Sequence, residues 1–171
     1  CDVRGENIIT KPDGVEFDCI VFDEKIRVSL PVPGKHNVHN ALFAIALASY
    51  ENIDLLSASK SLGEYVPTGM RQKIYKKNDC VIIADCYNAG VESMCASLEA
   101  LSDMSKENFT IAVLGDMLEL GQASEKFHRA VGKKAVECGI SLLLTFGNDA
   151  RFIVEEAKNN GHKNAFFFKE K

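Results

Sequence analysis

The sequence has no closely spaced cysteine pair, no block of lysine or arginine, no long apolar run and no glycine-rich phosphate loop. Each absence removes a class of protein. The six cysteines (Cys1, Cys19, Cys80, Cys86, Cys95 and Cys138) form no C-x-x-C motif. Several lie within apolar runs, where a thiol behaves as a small hydrophobe. A reduced cytosol is therefore expected, and a disulfide framework or zinc site is not. The formal net charge is −4, with both signs mixed along the chain, so nucleic acid and anionic membrane are poor partners. The apolar stretches are too short to span a bilayer, and no signal peptide is visible. There is no G-x-x-x-x-G-K-[ST] or G-x-G-x-x-G turn, nucleophile elbow or H-E-x-x-H, so the chain carries no phosphate cradle of its own. It starts at Cys1, not at Met. A lipidated N-terminus would be followed by a polar tether, which is missing, so a piece of a longer protein is expected.

What is present fits a soluble globular chain of 171 residues, 46% hydrophobic and 26% charged, with a mean hydropathy of −0.06. That length suits one domain, or a small domain with part of another. Residues 15–30 alternate cleanly: Val15, Phe17, Cys19 and Val21 point one way, and Ile26, Val28 and Leu30 repeat the pattern after the polar turn Asp23-Glu24-Lys25. Period two predicts a half-buried antiparallel hairpin. Two strands alone are marginal in water, and nothing upstream reads as support, so a missing N-terminal portion is expected.

Pro31 and Pro33 break the strand, and residues 37–49, rich in Ala and Leu and apolar nearly all round, predict a buried helix. A second helix is expected over 55–65, and 66–69 (Val-Pro-Thr-Gly) is the best linker. Apolar runs then recur at 81–84, 111–114, 142–146 and 165–168. Between them, Val91, Met94, Cys95, Leu98 and Leu101 share a helix face, as do Phe127, Val131, Ala135 and Cys138, and then Ala150, Ile153, Val154 and Ala157; Asn160-Gly161 reads as a helix stop. Alternating apolar strands and helices predict a doubly wound α/β fold whose mostly parallel sheet is covered on both faces. In that class ligands sit beyond the carboxyl ends of the strands. The turns at 85–90, 115–116 and 147–149 should open onto one edge.

Residue chemistry leaves alternatives open at these positions. Asp85 suits a turn or helix cap as well as a carboxylate for sugar hydroxyls. Asn88 leans toward turn chemistry, and Tyr87 fits either core or a stacking platform. Arg71 reads as solvated surface, or as a guanidinium matched to phosphate. Asn37 can cap the helix that follows. Asn40, three residues on and inside an apolar helix, needs a partner, and an adenine edge is one complement. Asp116 and Glu119 share a glycine-flanked loop. His128 suits helix packing, or a site shared with Asp116.

Taken together, Pro33-Gly-Lys-His-Asn-Val-His-Asn-Ala-Leu, Asp85-Cys-Tyr-Asn-Ala-Gly-Val-Glu-Ser-Met94, Val113-Leu-Gly-Asp-Met-Leu-Glu-Leu-Gly121 and His128 resemble the Mur ligases, in order and through nearly the whole chain. Within that family they are similar to the type that joins D-alanyl-D-alanine to a UDP-N-acetylmuramoyl-tripeptide. The resemblance implies that residues 1–66 end a central ATP-binding domain. Residues 67–171 would form most of a C-terminal Rossmann-like domain that lacks its last helix and strand. It implies a cytoplasmic enzyme of peptidoglycan synthesis, monomeric, without nucleic-acid binding or membrane insertion. ATP would phosphorylate a carboxylate, and an amine would attack the acyl phosphate. ATP and magnesium are the implied cofactors, with the phosphate loop, magnesium ligands and carbamylated lysine upstream of Cys1. The chain alone would then be inactive.

Residue by residue, the resemblance makes Asn37 and Asn40 adenine contacts with His36 beside them. Arg71 becomes a phosphate contact on domain closure, and Asp85 the ribose carboxylate. Tyr87, Asn88, Asp116, Glu119 and His128 become the dipeptide side. Nucleotide contacts on both sides of the 66–69 joint would let ATP drive closure. Gly90 departs from the family's usual Asn, and Val91 stands where Pro is common, so the amide contact at position 90 is not carried over. Two other readings compete. One is a sister amide ligase, adding an amino acid such as diaminopimelate or lysine, or a folylpolyglutamate synthase. The other is a non-catalytic nucleotide-binding α/β module using Asp85 and Asp116.

Overall fold

The computed structural model describes residues 2–11, 13–105 and 108–169; Cys1 lies outside the described residues. The chain forms two compact units, residues 1–85 and 86–171.

In the first unit, β1 (Val3–Lys11), β2 (Gly14–Val21) and β3 (Glu24–Leu30) make an antiparallel sheet in that order. The predicted hairpin is β2–β3, paired from Val15↔Leu30 to Val21↔Glu24. Its inward residues Val15, Phe17, Cys19, Val21, Val28 and Leu30 are all at most 4% exposed. They pack on Val38, Ala41 and Ile45 of α1 (His36–Tyr50). The hairpin's support does come from upstream, contrary to expectation: β1 pairs with β2 from Val3↔Val21 to Lys11↔Gly14. β1 escapes the period-two test because its register shifts between Glu6 and Ile9. Arg4, Glu6 and Lys11 also give it the charge typical of an edge strand.

Helix α1 is buried on one face only. Its other side exposes Phe43 (77%), Leu47 (63%) and Tyr50 (80%), so the all-round burial expected from composition is corrected to one packed stripe. α2 (Leu55–Gly63) starts where Asp54 Oδ1 accepts the Ser57 N–H at 2.9 Å, an N-cap that satisfies one orphan donor. The run at 81–84 does not enter the parallel sheet. As β5 (Cys80–Ala84) it pairs antiparallel with β4 (Lys73–Lys77), Ile74 opposite Ile83. The tight turn has Asn78 at φ 52, a left-handed conformation that Asn tolerates. The lysines of β4 hide its pattern in sequence.

In the second unit, β6 (Ile111–Leu114), β7 (Leu142–Phe146) and β8 (Ala165–Phe168) are parallel, in the order β6-β7-β8. α3 (Val91–Ser105), α4 (Ser124–Glu137) and α5 (Arg151–Asn159) carry the predicted apolar faces into one core with Ala112, Leu143 and Ala165. The α/β class with a parallel sheet therefore holds. The described helices gather on one face, because right-handed crossovers stepping in one direction deliver α4 and α5 to the same side. On the opposite face Ile111, Val113, Phe166 and Phe168 are 49–62% exposed. Helix α4 meets α5 closely at Gly132, where a Cβ would stand 2.2 Å from the Ile153 carbonyl oxygen.

Candidate functional site

The predicted polar residues fall into two groups, one in each unit. In the first unit, Gly34 at φ 100 turns the chain from Pro33 into α1, which places His36 and Asn37 on its first turn. Asn37 Nδ2 donates to Pro33 O at 2.7 Å and to Gln72 Oε1 at 2.8 Å. Its Oδ1 accepts from Asn40 Nδ2 at 3.2 Å, so the two asparagines do share a face. Asn40 is exposed, which corrects the expectation of a buried amide: it sits on the solvent side of α1.

Since Gln72 Oε1 accepts from Asn37, its Nε2 is the donor toward His36 Nε2 at 3.0 Å. That bond places the ring proton of His36 on Nδ1. The Gln72 backbone N–H donates to Asp85 Oδ1 at 3.3 Å. Four of the five residues expected at a nucleotide (His36, Asn37, Asn40 and Asp85) are thus joined in one hydrogen-bonded chain. The fifth, Arg71, is exposed and adjoins Gln72. Gln72 is the member that sequence reasoning missed. Its signal is conformational, φ 47, and no spacing rule exposes that.

The second group lies beyond the carboxyl ends of β6 and β7. Asp116 accepts three backbone N–H groups, from Asn148 at 2.7 Å, Asp149 at 3.0 Å and Ala150 at 2.7 Å. The carboxylate therefore caps the approach to α5, where orphan donors and the helix dipole favour negative charge. Gly147, at φ 129, leaves no room for a side chain: a Cβ would lie 2.4 Å from the Asp116 carboxylate.

His128 is 0% exposed. Its Nε2 accepts the Met117 N–H at 3.0 Å, and its Nδ1 donates to Ser124 O at 2.8 Å. Ser124 Oγ donates to Asp149 Oδ2 at 2.6 Å. Asp116 and His128 thus brace one loop from two sides. Within that loop Glu119 is exposed at φ 62, a conformation a non-glycine residue holds only when its surroundings impose it. Asn88 Oδ1 accepts the Ala89 N–H at 3.0 Å, in keeping with turn chemistry, and Tyr87 is 65% exposed.

The family profile "Mur ligase, glutamate ligase domain" matches residues 70–171, and "Mur ligase middle domain" matches residues 1–48. A UDP-N-acetylmuramoyl-tripeptide–D-alanyl-D-alanine ligase of Bacillus subtilis is 38% identical over 95% of this chain and 35% of its own length. The crystal structure of MurF from Acinetobacter baumannii superposes with a TM-score of 0.89 at 27% identity, covering 98% of this chain and 36% of that one. The MurF ligase of Thermotoga maritima, solved in complex with ADP, shares the fold at TM-score 0.76 and 20% identity, over 99% of this chain and 43% of that one. The chain thus spans 35% of the length of a curated relative it matches. Two matching profiles and the shared fold place the chain in the Mur ligase family.

Proposed function

We propose that this chain is the C-terminal stretch of an ATP-dependent amide ligase that joins D-alanyl-D-alanine to a UDP-N-acetylmuramoyl-tripeptide in the cytoplasm. Residues 1–66 end the central ATP-binding domain and 67–171 begin the C-terminal one; the family matches to 1–48 and 70–171 support that division. The observation that carries the reading is the hydrogen-bonded chain from Asn40 to Asp85 through Asn37 and Gln72. It gathers an exposed amide suited to an adenine edge and a carboxylate suited to ribose hydroxyls.

In this mechanism, Asn40 and Asp85 orient the nucleotide, and Arg71 supplies a guanidinium for its phosphates. Positioning and charge neutralisation dominate a reaction of this type, because the acyl phosphate must meet the amine before water does. Tyr87, Asn88 and Glu119 stand on the dipeptide side, and Asp116 and His128 position that loop.

The test is phosphate release by the intact ligase with UDP-N-acetylmuramoyl-tripeptide and a panel of amines. Turnover should require D-alanyl-D-alanine. Turnover with a single amino acid or glutamate instead would move the chain to a sister ligase. Stable nucleotide binding by residues 67–171 alone would favour a free-standing module.

A further inference from the structure

We infer that Gln72 is a positioning residue of the nucleotide site, setting the Asn37–Asn40 amide pair and the Asp85 carboxylate through three hydrogen bonds of its own. The inference rests on the nucleotide reading proposed above. Asn37 is poorly placed to be the ligand-reading amide: Pro33 O and Gln72 Oε1 take both of its Nδ2 protons. Its Oδ1 then fixes one proton of Asn40. Asn40, exposed at the end of this relay, keeps an amide oxygen and a second N–H for a base edge among the described residues.

The relay is directional. Gln72 Oε1 orients the Asn37 amide, which orients the Asn40 amide, so donor and acceptor of Asn40 are presented in a fixed sense. The second half of the same Gln72 amide holds His36 Nε2 at 3.0 Å, and the Gln72 backbone holds Asp85. One residue thereby sets both the base side and the sugar side of the site. The conformation agrees with such a role. Gln72 sits at φ 47, which is unfavourable for a side chain with a Cβ and persists only where surrounding bonds over-determine it.

Gln72→Gly separates this role from a merely structural one. Glycine accepts φ 47 without strain, so folding and the backbone bond to Asp85 survive while both side-chain bonds are lost. In the intact ligase, KM for ATP should rise about tenfold with kcat nearly unchanged, the size of one or two lost orienting hydrogen bonds. Gln72→Gly combined with Asn37→Ala should cost less than the sum of the two single effects, because the bond between them is lost in either one. In the 171-residue chain itself, side-chain amide NMR resonances of Asn37 and Asn40 should move toward free-amide positions in Gln72→Gly. An unchanged KM, an additive double mutant, or unmoved Asn37 and Asn40 resonances would overturn the role. A wild-type ligase inactive with D-alanyl-D-alanine would overturn the proposed function, and the NMR result would still decide the case of Gln72.

Discussion

His128 holds the backbone N–H of Met117 on its Nε2 at 3.0 Å, and so fastens the turn after β6 to the first turns of α4. The ring is 0% exposed, and its other nitrogen is held by Ser124 O at 2.8 Å. Replacing it with Ala orphans the Met117 N–H and opens a void beside the core. His128→Ala should cost about 2–4 kcal/mol in urea unfolding at neutral pH. A loss below ~0.5 kcal/mol would mean that water substitutes for the ring.

The crossing of α4 on α5 gives a second test. Ala favours a helix over Gly by about 1 kcal/mol, so Gly132→Ala would stabilise an exposed helix. Here the added methyl would lie 2.2 Å from the Ile153 carbonyl oxygen and 3.1 Å from Glu156 Cβ. Overpacking against backbone should reverse the sign and destabilise by about 1–3 kcal/mol, seen as a lower Tm. A raised Tm would contradict this packing.

Acid sensitivity should centre on Asp18. Asn7 Nδ2 at 2.7 Å, Lys25 Nζ at 2.9 Å and Arg27 at 2.9 Å surround its carboxylate. The Asn7 hydrogen bond, followed by those of Lys25 and Arg27, holds its pKa well below the usual carboxylate range. A carboxyl whose folded pKa is depressed contributes stability above its unfolded value, and the contribution is lost as pH falls toward the folded one. Asp18→Asn should therefore lower Tm at pH 7, with the difference shrinking steadily below about pH 4 and shrinking also in high salt. A difference that grew in acid would refute the assignment.

Gly90, where the family resemblance leads one to expect Asn, has room for a side chain. A Cβ there would meet Ser93 Oγ at 3.6 Å, an ordinary contact. Gly90→Asn should fold with a stability change within ~0.5 kcal/mol of the parent. A loss of several kcal/mol by thermal unfolding would show that the glycine is sterically required.

The strands and helices legible in the sequence were those with an unbroken period. Val15, Phe17, Cys19 and Val21 announced β2, and Ile153, Val154 and Ala157 announced α5. β1 was hidden by its charged edge and shifted register, and β4 by its lysines. With β4 hidden, the apolar run at 81–84 read as a buried parallel strand when it is half of a hairpin. In the first group the motif residues were readable, whereas Gln72 was not, because a left-handed backbone leaves no trace in composition. In the second group the residues Asp116 and His128 were readable but their hydrogen bonds were not. Only the fold reveals that backbone amides far along the chain occupy the Asp116 carboxylate.

Asp116 and Gly147 consequently form one unit of inheritance. The carboxylate fills the space that a side chain at 147 would take, and its three amide bonds bring that turn against it. Among descendants of this sequence, position 147 is released from glycine only when position 116 has shortened or turned away and the chain at 147 has left φ 129. The pair should drift together or stay fixed together, so that a substitution at either alone marks a line of descent in which this turn has been rebuilt.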